Sequence, residues 1–335
     1  MDTLLTLPSK FEKPILSVDL GGTKTAVALI NTEGKILISR QETTSQEGPQ
    51  AGIAQIRRLL DDILLQANLS NKDVLGIGIG IPAVLEPHTD LVIWAPNLEG
   101  WRNISLRQAL EDYFKLPTCI EYDGHTAVLG EWWQGQGRDF QSVVNIIIGT
   151  GVGGGIILDG RLIRGHSRLA GAVGWFVIGN TLIKQEEVKR SLGSWEAHVA
   201  GPGIAHLAYH CLEEEPSTTS ILRSFKKNIT AKEIFEAARK GDLLSLDILH
   251  NWAKLVGLGV ANVVSLINPE VVILGGGVGS NASDWITAIE TTLRQFAQPI
   301  SAQLVKIKVS TLGSKAGLLG AAYSLYLRYH QNYQQ

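Results

Sequence analysis

Apolar runs of strand length alternate along this chain with stretches whose apolar residues fall three and four apart, an order that predicts an α/β fold. Residues 15–18 and 26–30 flank one glycine turn, and 143–148 and 156–158 flank another, so each pair reads as strand, tight turn and returning strand. Helical spacing is found at 53–66, 104–113 and 126–133, and again at 204–212, 231–238 and 243–258, the last continuing through 259–266. Buried strands are expected at 74–81 and 271–274, further strands at 118–121 and 305–309, and a closing helix at 317–326. Residues 86–102 read as loop, and 165–203 has weak periodicity. The two halves repeat a plan of strand hairpin followed by helices, without a short-period repeat or a low-complexity linker.

Composition narrows the picture. A chain of 335 residues is long for one core, so two domains with a cleft between them are expected. The formal net charge of -2 and the lack of a basic stripe argue against a nucleic-acid partner. No apolar stretch reaches the length of a membrane span, and the N-terminus lacks the basic region and apolar core of a secretion signal. Cys119 and Cys211 are the only cysteines, which excludes a disulfide framework and fits a reducing cytoplasm.

The chemistry concentrates in the glycine segments Asp19-Leu-Gly-Gly-Thr-Lys-Thr25 and Gly149-Thr-Gly-Val-Gly-Gly-Gly155. Glycines leave backbone N–H groups uncovered, so Gly21, Gly22, Gly149, Gly151 and Gly153 suit a phosphate cradle to which Thr23 and Thr150 add hydroxyls. Lys24 reads as a phosphate contact or, more simply, as a solvated hairpin lysine. Gly149, Gly151 and Gly154 also satisfy a dinucleotide fingerprint, but a strand follows them where that site needs a helix. A Walker A loop has no match around Lys24. A third glycine turn, Gly275-Gly276-Gly277, follows the strand at 271–274, and Asp123 stands at a strand-to-helix junction, where side chains reach a cleft and a helix cap is the alternative role.

Five segments in register resemble the ROK family (repressor, open reading frame, kinase) of the actin and hexokinase superfamily. They are Asp19-Leu-Gly-Gly-Thr-Lys; Pro96-Asn97-Leu98 with Gly100-Trp101; Asp123 with Gly130-Glu131; Gly149-Thr-Gly-Val-Gly-Gly-Gly; and Asn268-Pro-Glu with Leu274-Gly-Gly-Gly. The resemblance implies a two-lobed actin-like ATPase (ribonuclease H-like) fold, with nucleotide and sugar in the cleft between lobes. The expected domains are 1–121, completed by the C-terminal helix 317–335, and 122–316. It further implies phosphoryl transfer from ATP to a sugar hydroxyl, with Asp123 as general base and Asp19 orienting Mg²⁺ through water. Gly275, Gly276 and Gly277 would hold the adenosine, the two earlier hairpins the phosphates, and Asn97, Tyr122, Asp123, Trp175 and Glu196 the sugar. A cytoplasmic homodimer is expected. Family members that regulate transcription carry a helix-turn-helix ahead of the first phosphate hairpin, and only 18 residues precede Asp19, which argues against that role.

Departures from the family pattern fall on the sugar side. Glu121-Tyr122-Asp123-Gly124-His125 stands where the family has Glu-Asn-Asp-x-Asn, so a phenol replaces an amide. Gly171-Ala172-Val173-Gly174-Trp175 replaces Gly-Glu-Ile-Gly-His, which removes a sugar-gripping carboxylate and a histidine shared by sugar and zinc. Glu196 is retained in Gly193-Ser194-Trp195-Glu196, but Ser194 replaces a zinc-site cysteine, so no structural zinc is expected. His206, His210 and Cys211, with His198 upstream, are the candidates for a relocated metal site. Trp175 reads either as a platform for a sugar ring or as a core residue filling the lost zinc pocket. These losses move the expected substrate away from glucose and N-acetylmannosamine. The alternative is a non-catalytic nucleotide or sugar sensor.

Overall fold

A computed structural model describes residues 4–5, 13–178, 193–225 and 228–333. The first part of the chain forms β1 (Ile15–Leu20), β2 (Lys24–Ile30), β3 (Ile36–Thr43), α1 (Pro49–Ala67), β4 (Ile77–Ile81), β5 (Val84–Leu85), β6 (Val92–Trp94), β7 (Arg102–Ile104), α2 (Leu106–Phe114), β8 (Thr118–Tyr122) and α3 (Asp123–Gln134). Then come β9 (Val143–Ile148), β10 (Val152–Leu158), β11 (Arg161–Leu162), α4 (Ser194–Val199), α5 (Gly201–Glu214), α6 (Ala231–Arg239) and α7 (Leu243–Ile267). The remainder is β12 (Val271–Gly275), α8 (Gly276–Gly279), α9 (Ile286–Phe296), α10 (Pro299–Leu304), β13 (Lys306–Val309) and α11 (Lys315–Tyr333). Among the described residues no helix is long and apolar enough to cross a membrane.

Two five-stranded sheets share one topology, β3-β2-β1-β4-β8 and β11-β10-β9-β12-β13. In the first, β1 and β2 pair antiparallel with Asp19 opposite Ala26, and β1, β4 and β8 run parallel. Parallel strands covered on both faces read as nearly continuous apolar runs, which is why 15–18, interrupted only by Ser17, and 77–81 stand out in the sequence. Helix α1 buries Ile53, Ile56, Leu59, Leu60, Ile63 and Leu64 and ends on Asn68 in the left-handed region (φ 54°).

The chain divides into two compact units, 1–143 with 154–171 and 314–335, and 144–153 with 172–313. This division differs from a boundary at 121/122, because α3 packs on α11 within the first unit. The contact is made at backbone distance. A Cβ at Gly320 of α11 would sit 1.5 Å from the Thr126 carbonyl oxygen, and one at Gly130 of α3 would sit 2.1 Å from that of Ala316. On β4, a Cβ at Gly78 would lie 2.0 Å from the Ala321 carbonyl, while Ser17 Oγ of β1 donates to the Leu318 carbonyl at 2.5 Å.

Several elements of the described residues, β3 and α4 among them, differ from the sequence expectation. Residues 86–102 contain strands, since β5, β6 and β7 form a small antiparallel sheet whose loop carries Asn97 and the buried Trp101. Helices α9 and α10 were not anticipated. Within 165–203, residues 179–192 lie outside the described residues, as do 334 and 335 of the expected C-terminal helix.

Gly320→Ala is expected to lower the stability of the protein by about 3 kcal/mol, because the new methyl forces two backbones apart. Urea denaturation of the variant checks this.

Candidate functional site

In the first unit the β1–β2 turn is held by its carbonyls. Thr44 Oγ1 donates to the Gly21 carbonyl at 2.7 Å, Gln46 Nε2 to that of Gly22 at 3.1 Å, and the Thr44 amide to that of Thr23 at 3.0 Å. The Gly21 amide donates to the Lys24 carbonyl, but the amides of Gly22 and Thr23 have no acceptor among the described residues. Such a turn presents donors outward, as an anion requires. Asn97 backs onto it: a Cβ at Gly22 would lie 2.7 Å from the Asn97 carbonyl oxygen. Thr23 and Lys24 are exposed.

Asp19, near the end of β1, and Asp123, the first residue of α3, are both half-buried. Tyr122 is the helix cap and makes no capping side-chain bond, so Asp123 is not a cap; its Oδ1 accepts the Gly124 amide at 2.7 Å. Burial pushes Asp123 up to about 6, against the pull of the Gly124 hydrogen bond and of His125. Burial first, and the Asp123 charge second, push Asp19 up to about 7. Neither carboxylate forms an ion pair with Lys, Arg or His among the described residues. Asp19, an oxygen donor raised in this way and without an ion pair among the described residues, fits a hard divalent cation.

Next to it lies a set of ions that the sequence did not single out. Glu121 receives Arg164 Nε at 2.8 Å and Arg168 Nη2 at 3.3 Å, and Asp90, wholly buried, receives Arg168 Nη1 at 2.6 Å, Arg328 at 2.5 Å and Arg107 at 3.4 Å. Burial opposes the charge on Glu121, but Arg164, His125 and Arg168 hold it well below the usual carboxylate range. The legible signal was Glu121 and His125 four apart around Asp123; the partners come from distant parts of the chain.

In the second unit the β9–β10 turn closes with the Gly149 amide donating to the Gly151 carbonyl at 2.9 Å and the Gly201 amide to the Gly149 carbonyl at 2.8 Å. The amides of Thr150 and Gly151 have no acceptor among the described residues, and a Cβ at Gly149 would meet nothing within 4 Å. The next amide, Val152, donates to Glu196 Oε2 at 2.6 Å, so Glu196 braces this turn with one oxygen. Gly153 follows inside β10. Gly275 ends β12, and Gly276 (φ 83°) and Gly277 open the single turn α8, a strand-to-helix junction unlike the two hairpins. A Cβ at Gly276 would lie 2.4 Å from the Ile148 carbonyl, whereas Gly277 faces open space.

Trp175 is 58% exposed at the end of a 3-10 turn, so it fills no core pocket. His210 Nδ1 lies 3.2 Å from Glu214, and no group of three or more His, Cys, Asp or Glu side chains able to hold a metal occurs among the described residues.

The family model described as the ROK family matches residues 15–327. A glucokinase from Halalkalibacterium halodurans is 31% identical over 313 residues, 92% of this chain and 93% of that protein. A xylose repressor from Caldicellulosiruptor bescii is 28% identical over 91% of this chain and 76% of its own length. Among solved structures, a ROK family glucokinase from Streptomyces griseus in complex with glucose and AMPPNP superposes with a TM-score of 0.79 at 29% identity, covering 92% of this chain and 98% of that one.

Asp19 takes up its proton near pH 7 in the folded protein and near 4 when unfolded, so between these values the folded state binds more protons and stability falls as pH rises. In the ligand-free protein at pH 8, Asp19→Asn is therefore expected to raise Tm by roughly 2–4 °C. Thermal melts at pH 8, 6 and 5 check this, with the difference closing toward pH 5.

Proposed function

The chain belongs to the ROK family, and from that premise we propose that it is a kinase transferring the γ-phosphoryl group of ATP to a hydroxyl of a hexose-like or modified sugar. Its fold is that of the ROK sugar kinases, of the actin-like ATPase class. The observation that carries the reading is the Asp19 and Asp123 pair, raised by burial and without an ion pair among the described residues, in a chain similar over nearly its whole length to a glucokinase.

Asp123 is the proposed general base. Once ionised it takes the proton of the acceptor hydroxyl while that oxygen bonds to the γ-phosphorus; the bond from phosphorus to the β–γ bridging oxygen breaks, and ADP leaves. The Gly124 amide bond fixes one carboxylate oxygen and leaves the other for the hydroxyl. The uncovered amides of Gly22 and Thr23, and those of Thr150 and Gly151, are the proposed phosphate donors, with Gly275, Gly276 and Gly277 at the adenosine. Mg²⁺, held by Asp19 through water, would neutralise phosphate charge. For the sugar we assign Asn97, Tyr122, Trp175 and Glu196; the exposed indole of Trp175 suits the apolar face of a ring, and Glu196 retains Oε1 for a hydroxyl.

A second reading is a non-catalytic sensor. It is favoured by Ala172 and Trp175, which remove directional sugar contacts, and by the similarity to a xylose repressor.

ADP release with MgATP across neutral, amino and deoxy sugars separates the two. A kinase gives release above the no-sugar background with at least one sugar, and Asp123→Asn lowers kcat by about 10² to 10⁴. Tight ATP binding without sugar-dependent release points to the sensor.

Because the base must be ionised and Asp123 is pushed up to about 6, kcat/KM is expected to fall about tenfold per pH unit below that value and to level off above it. A pH profile at saturating MgATP measures the limb; a flat profile down to pH 5 removes Asp123 from the role.

A further inference from the structure

His125 lies wholly buried in the first turn of α3, two residues after Asp123. Its Nδ1 is 3.0 Å from Glu121 Oε1, and its Nε2 is 3.0 Å from the carbonyl oxygen of Ala170. Both partners are acceptors. A carbonyl has no proton to give, and Glu121 is ionised because Arg164 and Arg168 share its two oxygens. A neutral imidazole has one N–H and one lone pair, so in this pocket the lone pair would face an oxygen with no water between. Reversing the ring would turn C–H groups toward both acceptors.

The acceptors are themselves fixed. The Ala170 amide donates to the Arg164 carbonyl at 3.0 Å and that of Arg168 to the Gly165 carbonyl at 3.3 Å, closing the loop that carries Ala170. Arg168 (φ 58°) and Asp90 (φ 60°) both hold the left-handed backbone that favours glycine, and their 2.6 Å ion pair ties the two loops together. Arg168 Nη2 also donates to the Ile120 carbonyl at 3.0 Å, in the middle of β8. The other charged or titratable groups on β8, α3 and the 164–171 loop are Tyr122, edge-on to the ring at 5.2 Å, Asp123 itself, Cys119, Glu131 and His166.

We propose that His125 is a buried imidazolium that donates from both ring nitrogens, a positioning residue that clamps the first turn of α3 between the end of β8 and the 164–171 loop and so aims the Asp123 carboxylate. The ring does not touch the reacting atoms. It joins the first turn of α3 to β8 and the 164–171 loop, which Arg164 and Arg168 already tie together through Glu121, and it sets a fixed positive charge beside a carboxylate that burial disfavours. The kinetic part rests on Asp123 being the base; the protonation state does not.

The test has two parts. Nitrogen-15 spectra of the full-length protein at pH 8, assigned by difference against His125→Gln, are expected to show one histidine with both ring nitrogens protonated, its signals missing in the variant. If every histidine shows an unprotonated nitrogen at pH 8, the proposal is overturned, whether or not any sugar is turned over. In the second part, His125→Gln, folded by near-ultraviolet circular dichroism, is expected to lose roughly 10- to 100-fold in kcat with KM for ATP within about twofold of wild type. Unchanged kcat overturns the positioning role, and so does an equal loss in kcat and ATP affinity. If the variant does not fold, His125→Asn replaces it in both parts, and the wild-type spectra alone still decide the protonation state.

Discussion

Backbone lying on backbone along α11 is the constraint from which the proposed site follows. Gly320 brings the helix against the Thr126 carbonyl of α3, and Gly317, one turn earlier, leaves room for a carboxylate: a Cβ there would fall 2.7 Å from Asp19 Oδ2. A single helix thus abuts both the end of β1 and the start of α3. Side chains on those faces would hold the segments several ångströms apart, and the Asp19 and Asp123 charges would no longer feel each other as they do.

With that geometry fixed, unit one sorts its carboxylates by the company they keep. Asp90 and Glu121 are saturated with guanidinium groups, and the latter is held firmly ionised; Asp19 and Asp123 form no ion pair among the described residues and are pushed toward neutral pH. Burial opposes the charge on Glu121 as it does on Asp19 and Asp123, so the difference among these three lies in where arginines were placed. Carboxylates with opposed environments, a few residues apart, are a recurring pattern where acid–base work and cation binding are needed.

Much of this was legible in the residue order. Strands β1, β4, β9 and β12 are mainly apolar runs, interrupted only by Ser17 and Asp19 in β1 and Asn145 in β9, and the two glycine hairpins show themselves by the strand that returns after each. Helix α9 was hidden because Ile286, Thr287, Ile289, Thr291 and Thr292 are β-branched, and only Ile289 and Leu293 mark a buried helical face together with Thr292. Strands β5 to β7 are too short to show alternation. Asp19 and Asp123 stood out by position in motifs, whereas Asp90, Arg107, Arg164, Arg168 and Arg328 are isolated charges whose meeting depends on the completed fold. Glu196 was read as a sugar contact, and the structure adds a bond to the β9–β10 turn that no local pattern announces.

The discontinuity of the first unit bears on the order in which the molecule can be made. Its sheet emerges early in synthesis, but the helix that covers Gly78 and supplies Arg328 to Asp90 follows all of residues 172–313. The second unit can therefore close while the first still exposes β1 and β4 and buries Asp90 without its full set of partners. That exposed sheet is the interval in which a chaperone, or a neighbouring chain, has most to hold.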